Sequence, residues 1–106
     1  MTIRIIDGKR YNTETATLVA RWSNNYPPSD LQHCAEQLYL TLRGNWFTEG
    51  KGGPMSKYSR PAFGGGWTGD ANAITPLSPD EALAWLEERN EVDAIERYFS
   101  GNVEDA

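Results

Sequence analysis

His33 and Cys34 are the only histidine and the only cysteine in the chain, and a thiol beside an imidazole is the least that nucleophilic chemistry requires. Side chains adjacent in sequence rarely point at one another, and no third residue stands out to orient the imidazole. Cysteine is also among the most frequently buried residue types. The pair therefore reads as interior packing. A lone cysteine excludes an internal disulfide, and with a single histidine it falls short of a zinc ligand set, so neither a metal nor another cofactor is expected.

The run Gly50-Lys51-Gly52-Gly53-Pro54-Met55-Ser56-Lys57 has the composition of a phosphate loop without its spacing, which requires Gly, four residues, then Gly-Lys-Ser/Thr. Glycine-rich backbone with Lys51, Ser56 and Lys57 can still form an anion-binding nest. That makes a small-ligand or nucleotide-binding module the second reading of the chain. The leading use of these glycines is close packing and turns. Near the C-terminus, Glu87, Glu88 and Glu91 look like a solvated helix face, since nothing suggests a base held in an apolar pocket. No catalytic constellation emerges, and a non-enzymatic protein is expected.

Two groups suit binding. Tyr58, Phe63 and Trp67 lie among glycines with Lys51, Lys57 and Arg60, and large rings with arginine are typical interface anchors. Glu87, Glu88, Glu91 and Asp93 offer carboxylates on a rigid scaffold, which can imitate the phosphates of a nucleic acid. The competing uses are a lid on a thin core for the rings and solubility for the acids.

Charge sharpens the second group. The chain has 106 residues and a net charge of −5. Residues 1–79 are slightly basic. Residues 80–106 hold Asp80, Glu81, Glu87, Glu88, Glu91, Asp93, Glu96, Glu104 and Asp105 against Arg89 and Arg97. Binding a duplex directly needs a positive surface that displaces counterions, so no direct duplex DNA binding is expected outside a local basic patch. A protein or ribonucleoprotein complex with a basic surface is the expected partner. The start of the chain lacks a signal-peptide pattern, and no apolar run approaches the roughly 18 residues of a spanning helix. A cytoplasmic protein that does not engage membranes is expected.

The elements that must position these groups follow from patterning. One domain is expected, with a core few in residues but rich in rings: four Trp, five Tyr and three Phe stand within a 39% apolar composition. Thr2–Ile6 alternates as a strand into an Asp7-Gly8 turn, with Lys9-Arg10-Tyr11 returning. Asn12 or Thr13 caps a predicted helix from Glu14 to about Asn24, with Thr15, Leu18, Val19 and Trp22 as its apolar stripe. Ser29–Glu36 reads either as a short turn or as an irregular lead-in to a strand. Leu38–Glu49 is a hairpin whose two loop residues are Gly44-Asn45, which sets Leu42 opposite Phe47 and Arg43 opposite Trp46. Residues 50–71 form a long loop containing seven of the ten glycines. Ala73–Leu77 reads as an edge strand because of Pro76. Ser78, Pro79 and Glu81 start a helix with a capping box, and a second helix carries Val92, Ile95, Tyr98 and Phe99. The predicted fold is α+β: a small antiparallel sheet of the N-terminal strand, the hairpin and the Ile74 strand. The N-terminal helix and the C-terminal helices cover one face.

Three segments carry a resemblance: Gly8-Lys9-Arg10-Tyr11 with Thr13-Glu14-Thr15-Ala16; Gly52-Gly53-Pro54-Met55-Ser56-Lys57-Tyr58; and Ile74-Thr75-Pro76-Leu77-Ser78 with Glu81-Ala82 and Trp85-Leu86-Glu87. Their order resembles a group of small bacterial and phage-borne proteins. The resemblance implies an accessory role on a mobile element. Small acidic proteins of that kind include anti-CRISPR and other anti-defence inhibitors, and by analogy with them inhibition of a host defence complex is expected.

Overall fold

The computed structural model describes residues 1–106. The fold is mostly β, with two short helices, both near the C-terminus. In chain order the strands are β1 (Ile3–Ile6), β2 (Lys9–Asn12), β3 (Thr17–Ser23), β4 (Cys34–Leu40), β5 (Trp46–Gly52), β6 (Arg60–Pro61), β7 (Trp67–Thr68) and β8 (Asp70–Leu77). Helices α1 (Pro79–Glu88) and α2 (Val92–Phe99) follow. An antiparallel sheet of order β3-β4-β5-β8 forms the centre, and β1-β2 and β6-β7 are separate two-stranded hairpins. No helix is long and apolar enough to cross a membrane.

The predicted N-terminal helix is a strand, and the predicted α+β arrangement gives way to a sheet-dominated fold. Asn12 does cap a turn: its side chain accepts from the Glu14 N–H at 2.9 Å, and its carbonyl accepts from the Ala16 N–H at 3.1 Å. That single turn stops where the β-branched and aliphatic run Thr17-Leu18-Val19 begins, a composition that favours pleated backbone. The register against β4 slips between Leu18 and Ala20, so Val19 is a bulge residue. Val19, Ala20 and Trp22 consequently all reach the core on the helix side. The bulge breaks strict alternation and leaves an apolar spacing that mimics a helix. The N-terminal strand, expected in the main sheet, pairs only with β2; β3 takes its place beside β4.

The β4–β5 hairpin forms with a different register. Its connection is Thr41–Asn45, closed by the Thr41 N–H on the Asn45 carbonyl at 2.8 Å and the Gly44 N–H on the Thr41 carbonyl at 3.0 Å, with Gly44 left-handed. Leu40 therefore pairs with Trp46 and Tyr39 with Phe47, and Leu42 is left exposed at the turn. The register differs from the expected one by three residues, and an odd shift puts Phe47 on the face opposite to the one expected. Glu36, Leu38, Leu40 and Trp46 face the helices, whereas Tyr39 and Phe47 face the N-terminal hairpin.

The sheet is thus covered on both sides. Ala20, Leu38, Trp46, Ala82, Trp85, Leu86 and Phe99 form the larger core under the helices, with Phe99 stacked on Trp46 at 5.2 Å. Tyr11, Tyr39 and Phe47 form the smaller core under the β1–β2 hairpin. Asp7 and Gly8 both take positive φ, as a tight two-residue hairpin turn requires. Helix α1 starts as its sequence specifies: the Ser78 hydroxyl accepts from the Glu81 N–H, and the Glu81 carboxylate accepts from the Ser78 N–H. Strand β8 is an edge strand and is longer than the five residues expected, beginning at Asp70.

Candidate interaction site

The segment between β5 and β8 is ordered by contacts that begin with its glycines. The Gly53 N–H donates to the His33 carbonyl at 2.9 Å and the Met55 N–H to the Leu31 carbonyl at 2.9 Å. A Cβ at Gly53 would strike Leu31, and one at Gly69 would strike the Gly52 carbonyl. These close backbone approaches are open only to glycine. Gly50 plays the same part beneath a side chain, because the Tyr58 ring lies where its Cβ would be.

That ring leads to the least expected group in the molecule. Glu36, on β4, is 2% exposed. Its carboxylate accepts from Lys57 Nζ at 2.9 Å, the Tyr58 hydroxyl, Trp85 Nε1 at 3.0 Å and Arg89 Nη2 at 2.9 Å. The Arg89 guanidinium is stacked between Trp22 at 4.7 Å and Trp85 at 4.2 Å. Burial disfavours the charged carboxylate, but donation from Tyr58, Lys57 and Trp85, with the Lys57 charge, outweighs it and holds Glu36 below the usual glutamate range. Burial, then the bond to Glu36, pushes the Tyr58 phenol well above the usual tyrosine range. One carboxylate thereby joins the sheet, α1 and the segment leading into β6. No sequence signal marked it: Glu36 stands beside the chemistry-bearing pair His33-Cys34, and its four donors lie 21 to 53 residues away.

Beyond Tyr58 the chain leaves the body as the β6–β7 hairpin. Arg60 pairs with Thr68 and Pro61 with Trp67, and the Ala62 N–H donates to the Gly66 carbonyl at 3.0 Å. Gly64, Gly65 and Gly66 are all left-handed, which permits so tight a tip. Phe63 is fully exposed at 109%, and Trp67 is 65% exposed. Arg60 is exposed, its Nε donating to the Gly69 carbonyl at 3.4 Å.

The expected ring cluster is therefore divided. Phe63 and Trp67, with Arg60, stand on the projecting hairpin, whereas Tyr58 turns inward. Of the expected anion-binding residues, Lys57 is ion-paired with Glu36, and the Ser56 hydroxyl donates to the Gly53 carbonyl at 2.7 Å. Lys51 is exposed on the opposite side of β5. Glu87, Glu88 and Asp93 are exposed, and Glu91 is half-buried at the start of α2. The C-terminal turn of α1 and the segment leading into β6 share the Glu36 node. Cys34 is buried, and burial together with Glu36 raises its thiol; His33 Nδ1 bonds the Tyr26 carbonyl at 2.7 Å, not the thiol. Comparison with protein-family models, with curated proteins and with solved structures returns no match to this chain.

Proposed function

We propose that this protein is a non-enzymatic binding protein whose β6–β7 hairpin inserts Phe63 and Trp67 into a macromolecular partner. The observation that carries this reading is the full exposure of Phe63 on a hairpin whose base is fixed to the body. An ordered apolar ring in water has no folding role, and burying it in a partner gains about 1.5–3 kcal/mol. Preorganisation lowers the entropy lost on docking. Arg60 adds a charged contact beside the rings, and the exposed acids of α1 and α2 complement a basic partner surface. The partner class favoured by the acidic helices is a protein or ribonucleoprotein complex. Its finer form, drawn from the resemblance to phage-borne proteins, is inhibition of a bacterial defence complex of the CRISPR type.

The test is phage plating on a CRISPR-immune host that expresses the protein. Plaque formation should recover with the wild-type chain and be lost with the double variant Phe63→Ala/Trp67→Ala at equal soluble expression. Recovery undiminished in the double variant would remove the hairpin from the interface, and no recovery with the wild type would remove the defence-inhibitor form. A photo-crosslinking residue at position 63 then identifies the partner directly.

A further inference from the structure

At the opposite side of the sheet from the helices, the β1–β2 hairpin and the β4–β5 turn enclose a depression of 440 Å³. Lys9, Arg10 and Arg43 line it, and no carboxylate does. None of the three cations has an acidic oxygen within 4.0 Å. The hollow beside β3 differs, since Glu36 and Glu49 line it together with Arg21 and Lys51.

Two of the four neutral polar side chains lining the depression, Asn12 and Thr41, add donors. Both spend their side-chain oxygens inward. The Asn12 Oδ1 accepts from the Glu14 N–H at 2.9 Å, and the Thr41 Oγ1 accepts from the Asn45 N–H at 3.0 Å. What Asn12 and Thr41 have left to offer is an amide N–H pair and a hydroxyl proton. Three unpaired cations, with the Asn12 amide and the Thr41 hydroxyl as donors beside them, form a receptor for an oxyanion, and arginine's planar fork matches phosphate geometry.

We infer that this depression binds a phosphate group carried by a compact ligand. No aromatic side chain lines it to stack a base. A net charge of −5 also repels a long polyanion, while leaving a local contact with a small one intact. The volume suits a small phosphorylated molecule.

The experiment is a titration of the isotope-labelled protein with pyrophosphate at low salt, followed by backbone and arginine side-chain NMR. Saturable shifts should be confined to residues 9–12 and 41–45. Arg43→Glu should weaken binding by about 10–100-fold, the loss expected for a charge-assisted hydrogen bond, without lowering the thermal midpoint. Arg21→Glu should leave binding unchanged. Equal responses at Arg21, Lys51 and Arg97, or undiminished binding by Arg43→Glu, would overturn the site. A short single-stranded oligonucleotide separates the two sources of phosphate. Binding weaker than that of pyrophosphate supports the compact ligand, and tighter binding overturns that assignment in favour of a nucleic-acid backbone.

Discussion

At the scale of residues, Glu36 carries the largest electrostatic stake in the molecule. Removing one member of a buried, hydrogen-bonded charge group costs about 3–5 kcal/mol, because the partners keep their charge without compensation. Glu36→Gln leaves Arg89 buried beside an amide and should destabilise by that order, read from urea unfolding at neutral pH. The pH dependence follows from the direction of the shifts. Glu36 is held below its ordinary value, so its contribution is complete above about pH 4.3 and is lost as pH falls through the lowered folded value. Wild type and Glu36→Gln should therefore converge in stability toward low pH, and a constant gap down to acid unfolding would contradict the role. Tyr58 acts at the other limit. Its phenol is raised in the fold, so stability is full below about pH 10 and declines as pH rises above it. Tyr58→Phe should flatten that alkaline decline. Gly50→Ala tests the same node sterically: the new methyl group must displace the Tyr58 ring, with a loss of about 1–3 kcal/mol.

At the scale of elements, legibility tracks how local the signal is. Helix α1 was readable to its first residue because Ser78, Pro79 and Glu81 satisfy its orphan N–H groups within four positions. The Asp7-Gly8 hairpin was readable for the same reason. Strand β3 was not, because a bulge at Val19 depends on pairing with β4 and erased the alternation that marks a strand. The β4–β5 hairpin was recognisable, but its register depended on Gly44 alone taking the left-handed conformation. At the interaction site, residue types exposed Phe63 and Trp67 as candidates but could not separate them from Tyr58, whose destination is a carboxylate 22 residues upstream. The β6–β7 hairpin gives a direct element-level prediction. Phe63→Ala/Trp67→Ala removes exposed rings and should leave unfolding free energy within about 0.5 kcal/mol of wild type. Partner binding should fall by about 2 kcal/mol or more, the range of interface anchors. A large stability loss instead would mean that the rings serve the fold.

At the scale of the whole molecule, charge and layering coincide. The helix side presents Asp80, Glu81, Glu87, Glu88, Asp93 and Glu96, all exposed, while Lys9 and Arg10 belong to the hairpin that covers the other side and Arg21 and Lys51 project there. The sheet between them has open edges at β3 and β8. The bulge and Arg21 blunt the first, and Pro76 denies the second a ladder donor. Association is thus directed to faces, and an acidic face steers encounter with a basic partner more than it tightens the final complex. Replacing Glu87, Glu88 and Asp93 by Lys changes the charge by two at each position, from −5 to about +1. The one ion pair this touches is the exposed Glu88–Arg89 contact at 3.4 Å, worth under about 1 kcal/mol, so the thermal midpoint should hold. The association rate with the captured partner should drop at low salt and converge on the wild-type rate at high salt, where screening removes steering. Stopped-flow binding across an ionic-strength series measures this, and rates that superimpose at every salt concentration would show that the acidic face has no part in recognition.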